Sequence, residues 1–453
     1  MSNTQLLGKL LALCLAFTAQ AAWAKAEQPN ILLIITDQHS GLVMSQRGYE
    51  HVETPGIDRI ADQGVTFTRA YTTYPVCTAY RASLMTGMMP SQVPDPTRVP
   101  SLGKTMAEAG YHTVYHGKWH VGSTKIGRVA DWHGFEVYNG RQNDTTTRER
   151  VVEFIRQDHE KPFFLVTSFM NPHDTCELAR LMSGIEDDWK DQPIDIDPPL
   201  EITPPLPANF GIPEREPEGF AVRRGSEPGS DMYRKHPTKY WTEAQWRQYM
   251  WGYDRLLEMV DAHIAQLVDE LDRQGLLDDT VIIYTSDHGD GHAAHHWNQK
   301  MTFYEESINV PFIISWKGKT RAGVIDEATL SSTGLDILPT ILGFAGVKVP
   351  DSLHGVDMAP AVLNEAAGDP LPDREYVVSE INQVGGLKGR MVVSRDYKYI
   401  LFDDGDNREV LFDRARDPGE MNPVTHDPAY RPQLLAHRDM LLEWDRRIGD
   451  DDF

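Results

Sequence analysis

Four short apolar runs, each ending abruptly in ionisable residues, constrain this chain more than any other feature. Asn30 to Thr36 (NILLIIT) ends in Asp37-Gln38, and Tyr111 to Tyr115 runs into His116-Gly117-Lys118-Trp119-His120. Phe163 to Phe169 leads to Asn171-Pro172-His173-Asp174, and Val281 to Ser286 to Asp287-His288-Gly289-Asp290. Runs this short and this rich in β-branched residues read as strands buried on both faces, as in a parallel sheet covered by helices. Ligands of such sheets bind at the carboxyl ends of the strands. The expected fold class is therefore α/β, mainly parallel, with a polar site at the strand ends.

Helices fill the intervals. The clearest starts at Thr242, with Gln245 three residues on as a capping-box partner. It keeps apolar residues at helical spacing from Trp246 to Leu271 and stops at Gly275. From about Leu181 to Thr242 the pattern dissolves: eight prolines fall between Pro193 and Pro217, with Arg223, Arg224, Arg234 and Lys235 soon after. Proline at that density excludes a strand or helix interior, so a substrate-facing insertion is expected, with Arg223 and Arg224 as substrate-binding residues. After Pro350 shorter strands follow (Glu375–Ser379, Gly389–Ser394, Tyr397–Phe402, Glu409–Phe412), then a helical stretch from Tyr430 to Ile448. The expected division is a catalytic domain over 25–350 and a C-terminal subdomain over 351–453, an antiparallel sheet with one helix.

The first 24 residues have the layout of a secretory signal: Lys9, an apolar run from Leu10 to Phe17, and Ala22-Trp23-Ala24 as a cleavage site. Leu13 occupies the place where a lipobox has Ala or Gly, so Cys14 is not expected to be lipidated. No other stretch reaches the roughly 18 apolar residues of a membrane span. The chain is thus expected to be exported, periplasmic or extracellular, with no membrane anchor once the signal is removed. Acidic residues outnumber basic ones by 67 to 44, a formal charge of −23, which excludes a nucleic-acid partner because phosphates need a basic footprint. Three cysteines, of which Cys77 and Cys176 survive export, make one disulfide the bland reading of the arithmetic alone.

The neighbourhood of Cys77 argues otherwise. Cys77-Thr78-Ala79-Tyr80-Arg81-Ala82-Ser83-Leu84-Met85-Thr86-Gly87 follows Pro75 and starts a helical register. Free N–H groups and the positive dipole end there favour an anion, and Arg81, one turn later, can reach the same anion. A nucleophile so placed points to catalysis on an anionic ester.

This run resembles the C-x-P/A-x-R signature of type I sulfatases, in which the cysteine becomes formylglycine. The resemblance extends along the chain: Asn30 to Asp37 is similar to the family's first metal-bearing strand, and Gly117-Lys118-Trp119-His120 to its G-K-W-H segment. Thr285 to Asp290 and Lys300 to Glu306 resemble its second metal segment and the stretch after it. Leu411-Phe412-Asp413 with Asp417-Pro418-Gly419-Glu420 and Asn422 matches a C-terminal family pattern. The resemblance implies an alkaline phosphatase-like fold. It also implies a divalent-metal site of Asp37, Gln38, Asp287, His288 and the modified Cys77. Arg81, Lys118 and Lys300 are implied as electrostatic stabilisers, His120 beside the formylglycine, His173 as general acid at the leaving oxygen, and His295 in the sulfate pocket. Hydrated formylglycine offers one hydroxyl to attack sulfur and a second to expel sulfate, so water need not attack the sulfated enzyme. A formylglycine-generating or radical maturation enzyme is the implied partner.

Four residues depart from the family pattern. Ala79 replaces the commoner proline, and Met88 stands where an arginine often follows Thr-Gly. Gln38 and His288 replace a carboxylate and an amide; calcium is still expected, with manganese or another divalent ion as the alternative a His ligand allows. The His292, His295, His296 cluster lacks the companion ligands of a zinc site, and Asp290 and Glu305 read as supporting residues. The expected activity is sulfatase action on a sulfated polysaccharide or its oligosaccharides, such as ulvan or carrageenan. A formylglycine-dependent phosphonate monoesterase or phosphodiesterase is the alternative.

Overall fold

The computed structural model describes residues 28–93, 95–121, 130–140, 143–185, 194–364, 374–384 and 386–450. The signal reading of residues 1–24, with Cys14, lies outside them. In chain order the strands of the larger half are β1 (Asn30–Asp37), β2 (Gly64–Phe67), β3 (Ala70–Tyr71), β4 (His112–Gly117), β5 (Val137–Asn139), β6 (Phe163–Pro172), β7 (Thr280–Ser286), β8 (Phe312–Trp316), β9 (Val324–Asp326) and β10 (Ser331–Ser332). Eight of them form one sheet in the order β5-β4-β6-β1-β7-β8-β2-β9, while β3 and β10 pair apart. Neighbours in the sheet run parallel except at β8, which is antiparallel to both β7 and β2. The four apolar runs are thus the four central strands β4, β6, β1 and β7.

Strand β1 shows why its sequence is apolar throughout. Ile31, Leu33 and Ile35 point to one face, where they join a core with Tyr80, Leu84, Ile337 and Ile341. Leu32 and Ile34 point to the other and pack with Leu257, Val260 and Ile264. With helices on both faces, a polar residue inside the strand would be buried without a partner, so polarity is confined to the strand end. Register then aligns the ends: Thr36 pairs with Ser286 and Gly117 with Ser168. Asp37 and Asp287 leave the sheet side by side, with Lys118 beyond β4.

The helix Glu243–Arg273 begins after Thr242, whose hydroxyl and the Gln245 side chain form the expected capping box. The proline-rich insertion holds two short helices, Glu218–Arg224 and Asp231–Lys235, which the sequence reading did not foresee. Pro217 sits just before the first, where a missing N–H costs nothing, and the Ser230 side chain caps the second.

The C-terminal strands β11 (Tyr376–Val384), β12 (Leu387–Ser394), β13 (Tyr397–Phe402) and β14 (Glu409–Asp413) form an antiparallel meander in sequence order. One face receives Leu441 and Trp444 of the helix Arg431–Ile448. The other packs on Trp297, Phe303 and Tyr304 of the larger half. Between the halves lies a buried ion cluster: Lys398 of β13, fully buried, pairs with Glu305 at 2.9 Å and with Glu420, and Arg414 reaches Glu305 at 2.9 Å. Met358, Ala359 and Val362, ahead of this sheet, still pack in the core of the large one.

Candidate active site

Cys77 is the first residue of the helix Cys77–Thr86, which follows Val76 in extended conformation and ends at Gly87 in the left-handed region (φ 69°). Its Sγ lies 3.3 Å from His120 Nδ1 and 3.9 Å from Lys300 Nζ. Both Cys77 and Cys176 are free thiols, so the disulfide of the cysteine arithmetic does not form. Burial alone would raise the Cys77 pKa, but the Lys300 charge and the imidazoles of His120 and His288 hold it well below the ordinary thiol value, against opposition from Asp37.

Arg81, one turn along, is fully buried and saturated. Its Nε donates to Asp287 Oδ2 (2.9 Å), its Nη1 to Lys118 O and Ser168 Oγ (2.7 Å each), and its Nη2 reaches Asp37 Oδ2 at 3.5 Å. Lys118 Nζ lies 2.6 Å from the same Asp37 oxygen. Burial would raise the Asp37 pKa, but Lys118, His173, Lys300 and His288 together hold it well below the usual carboxylate range. Burial and the Asp37 charge push Asp287 the other way, upward. Burial, then the charges of Lys118 and Lys300, push the His173 pKa well down. Three cations, Arg81, Lys118 and Lys300, thus meet two carboxylates, a local positive surplus in a protein of net charge −23. Over distances beyond about 8 Å at physiological salt the rest of the acidic surface is screened, so the pocket sets the field that an anion meets.

The ligand atoms of Asp37, Cys77, Asp287 and His288, all buried, lie within 4.8 Å of one another. Asp37 Oδ1 and His288 Nε2 have no hydrogen-bond partner. A buried polar atom left unpaired costs about 1–3 kcal/mol, and a divalent cation between these atoms would satisfy both. His288 Nδ1 donates to Gly289 O at 2.9 Å, which leaves the Nε2 lone pair facing the cluster. Two carboxylates and an imidazole make a donor set that fits a divalent ion. Gln38 is placed differently: its amide nitrogen donates to Asp290 Oδ2 (2.8 Å) and its Oε1 accepts from the Cys176 thiol at 3.5 Å.

Asp290 is the supporting residue that the sequence suggests. Fully buried, it accepts from the Gln38 side chain, the Tyr249 hydroxyl (2.8 Å), His292 N (2.7 Å) and Gln299 N (3.1 Å). One carboxylate therefore ties the end of β1 to the loop that carries Lys300. Ser168 was missed; its only signal is a hydroxyl near the end of an apolar run.

Three residues expected at the substrate face inward instead. His295 is fully buried, stacked on Tyr304 at 3.7 Å, with Nε2 toward Asn209 and Glu306. Arg223 is buried against His236. Arg224 is paired with Glu216 and lies 5.3 Å over the Trp297 ring. A guanidinium already matched by a buried carboxylate has no charge to spare for sulfate.

A cysteine at a helix N-terminus, a buried cluster at the strand ends that could hold a cation and a surplus of fixed positive charge suit a hydrolase of alkaline phosphatase-like fold acting on anionic esters. Residues 29–347 match the family described as Sulfatase, and residues 293–445 match N-sulphoglucosamine sulphohydrolase, C-terminal. The chain belongs to the sulfatase family. It is 32% identical over 468 residues to the Delta 4,5-hexuronate-2-O-sulfatase of Bacteroides thetaiotaomicron, covering 96% of this chain and 92% of that one. It is 28% identical to the ulvan-active sulfatase of Formosa agariphila, over 89% of this chain and 78% of the relative. Among solved structures a 2-O GAG sulfatase superposes with a TM-score of 0.81 at 29% identity, covering 94% of this chain and 93% of that one. Among the described residues no helix is long and apolar enough to cross a membrane.

Proposed function

We propose that this sulfatase is exported and hydrolyses O-sulfate esters of a sulfated polysaccharide or its oligosaccharides. Its nucleophile would be a formylglycine made from Cys77 by a maturation enzyme. The observation that carries the reading is the placement of Cys77, first in its helix, between His120, Lys300 and the Asp37–Asp287–His288 cluster. Names of relatives acting on hexuronate 2-O-sulfate and ulvan support a sulfated glycan as substrate. Asp37, Asp287, His288 and residue 77 would hold the ion, calcium by the family's habit, with Gln38 alongside. When bound, it would acidify the hydrated formylglycine and polarise the sulfate oxygens.

The chain's own residues do the rest. Arg81 holds Asp37 and Asp287 in place while Lys118 neutralises Asp37, so the two carboxylates can sit together without water. Lys300, close to residue 77, is placed to meet the sulfate oxygens, and His120 to take a proton from the attacking group. Burial, then the charges of Lys118 and Lys300, hold the His173 pKa well down; an anionic ester that offsets those charges would favour the protonated donor that the leaving oxygen needs.

Two measurements test this. Mass spectrometry of the Cys77 peptide, after expression with a competent maturation enzyme, should show the mass of formylglycine; an unmodified thiol in an active enzyme overturns the nucleophile. Aryl sulfate should turn over faster than an aryl phosphodiester, and the reverse order would favour phosphodiester or phosphonate ester hydrolysis.

A further inference from the structure

Strand β6 leaves its ladder just before it delivers His173. Ser168 pairs with Ile35 of β1 and Pro172 with Asp37, so β6 uses four residues where β1 uses two. Pairing with β4 ends at the same point, Gly117 against Ser168. A bulge of this kind re-aims the side chains beyond it. Here it sets Pro172 beside Asp37, with His173 next in line. It also deprives the bulged backbone N–H groups of sheet partners, in a segment buried at Phe169, Asn171 and Pro172. Other acceptors are then required.

Asp144 supplies them. It opens the helix Asp144–Ile155, where the helix dipole favours a negative charge, and it is itself buried. Its Oδ1 accepts from Met170 N at 2.5 Å, and its Oδ2 from Asn171 N and the Asn171 side-chain amide at 3.0 Å each. His173 N donates to Met170 O (3.1 Å) and Cys176 N to His173 O (2.9 Å), which builds the next turn on the residues that Asp144 grips. The His173 ring lacks an anchor of its own at Nδ1, which is buried without a hydrogen-bond partner. The backbone turn therefore fixes where the imidazole stands.

We infer that Asp144 is a positioning residue: by holding the β6 bulge, it keeps the His173 imidazole at the leaving oxygen of the ester. The inference rests on the reading of His173 as proton donor given above, and the experiment separates the two. Proton donation matters more the poorer the leaving group, so a displaced His173 changes the ranking of substrates. A general loosening of the fold slows good and poor leaving groups alike.

The test compares kcat/KM for 4-nitrophenyl sulfate with kcat/KM for phenyl sulfate, on converted enzyme supplied with calcium. His173→Ala should raise the ratio of the two by about tenfold or more, since the poorer leaving group depends more on the donated proton. Asp144→Asn should raise it by about fivefold or more, the worth of one hydrogen bond. Added to His173→Ala, Asp144→Asn should leave the ratio where it was, because the group it positions is gone. Should Asp144→Asn not fold, Asn171→Ala, which keeps the carboxylate and both backbone bonds, takes its place with an expected rise of about threefold. An unchanged ratio in His173→Ala removes the proton donor and the inference with it. A raised ratio in His173→Ala but not in the bulge variant overturns the inference alone, as does a bulge effect on the ratio that persists without His173.

Discussion

Replacing Gly117 by alanine separates the steric demands of the site from ordinary backbone strain. Gly117 ends β4 at φ +102°, and a Cβ there would lie 1.9 Å from the carbonyl oxygen of Ser168. Gly110 provides the control, since it has nearly the same φ (+95°) and nothing within 4 Å of the added carbon. Strain from the positive φ costs about 1–2 kcal/mol, partly offset by the roughly 0.4–1 kcal/mol that alanine gains by restricting the unfolded chain. Gly110→Ala should therefore lose about 1 kcal/mol. In Gly117→Ala the Ser168 carbonyl must also retreat by more than an ångström, breaking the 2.8 Å bond from Lys118 N and pulling Ser168 Oγ from Arg81. Two buried polar groups orphaned at about 1–3 kcal/mol each bring the expected loss to roughly 3–7 kcal/mol. Lys118 would leave its place against Asp37, and a displacement of that size commonly costs about 100-fold in rate. Urea midpoints and kcat/KM on an aryl sulfate, measured on both variants, make the comparison; midpoints are preferred because a chain of this size need not unfold in two states. If Gly117→Ala matches Gly110→Ala in midpoint and keeps full turnover, the steric argument fails.

Other perturbations give equally definite outcomes. Chelating divalent ions should lower the melting temperature and calcium should restore it, by about 2.7 kcal/mol at a hundred times Kd; Asp37→Asn should abolish that response. Asp290→Ala orphans four buried donors, so it should lower the urea midpoint sharply and weaken calcium-induced stabilisation, read from the same melts. His295 carries a pKa pulled down to about 3 by burial and by the charges of Arg224 and Lys398. Because its folded value lies below the unfolded one, its contribution is complete above about pH 6.5 and is lost as pH falls toward 3, at about 1.4 kcal/mol per pH unit. Urea midpoints of His295→Gln measured between pH 6.5 and 4.5 should fall less steeply than those of the parent.

The parts of the fold legible in the sequence are those whose environment dictates composition. Central strands covered on both faces must be apolar, so NILLIIT and its three counterparts announced the sheet and, by their polar ends, the site. The Thr242–Gln245 capping box announced the long helix, because its local chemistry satisfies itself. Short strands were another matter: Gly64–Phe67 and Val324–Asp326 have too few residues to show periodicity. The direction of a side chain was less legible still. Arg223 and Arg224 look like substrate groups in the sequence, and only the fold brings Glu216 and His236 against them. Asp290 lay in view within Asp287-His288-Gly289-Asp290, but the four donors it gathers come from four separate places in the chain. The signature around Cys77 was readable because helix geometry alone fixes the relation of Cys77 to Arg81.

The ion cluster of Lys398, Glu305, Glu420 and Arg414 bears on how such a protein can be recombined. Glu305 lies five residues beyond Lys300, so the strand contributed by the C-terminal meander anchors the segment that presents a site lysine. A chain ending at residue 350 would expose the apolar face of Trp297, Phe303 and Tyr304 and leave Glu305 without its cations. Exchanging this meander between relatives would succeed only where the donor also brings a lysine at position 398, an arginine at 414 and an acid at 420 in the same register. The meander thus buttresses, through Glu305, the segment that carries Lys300, so the two halves must be inherited together.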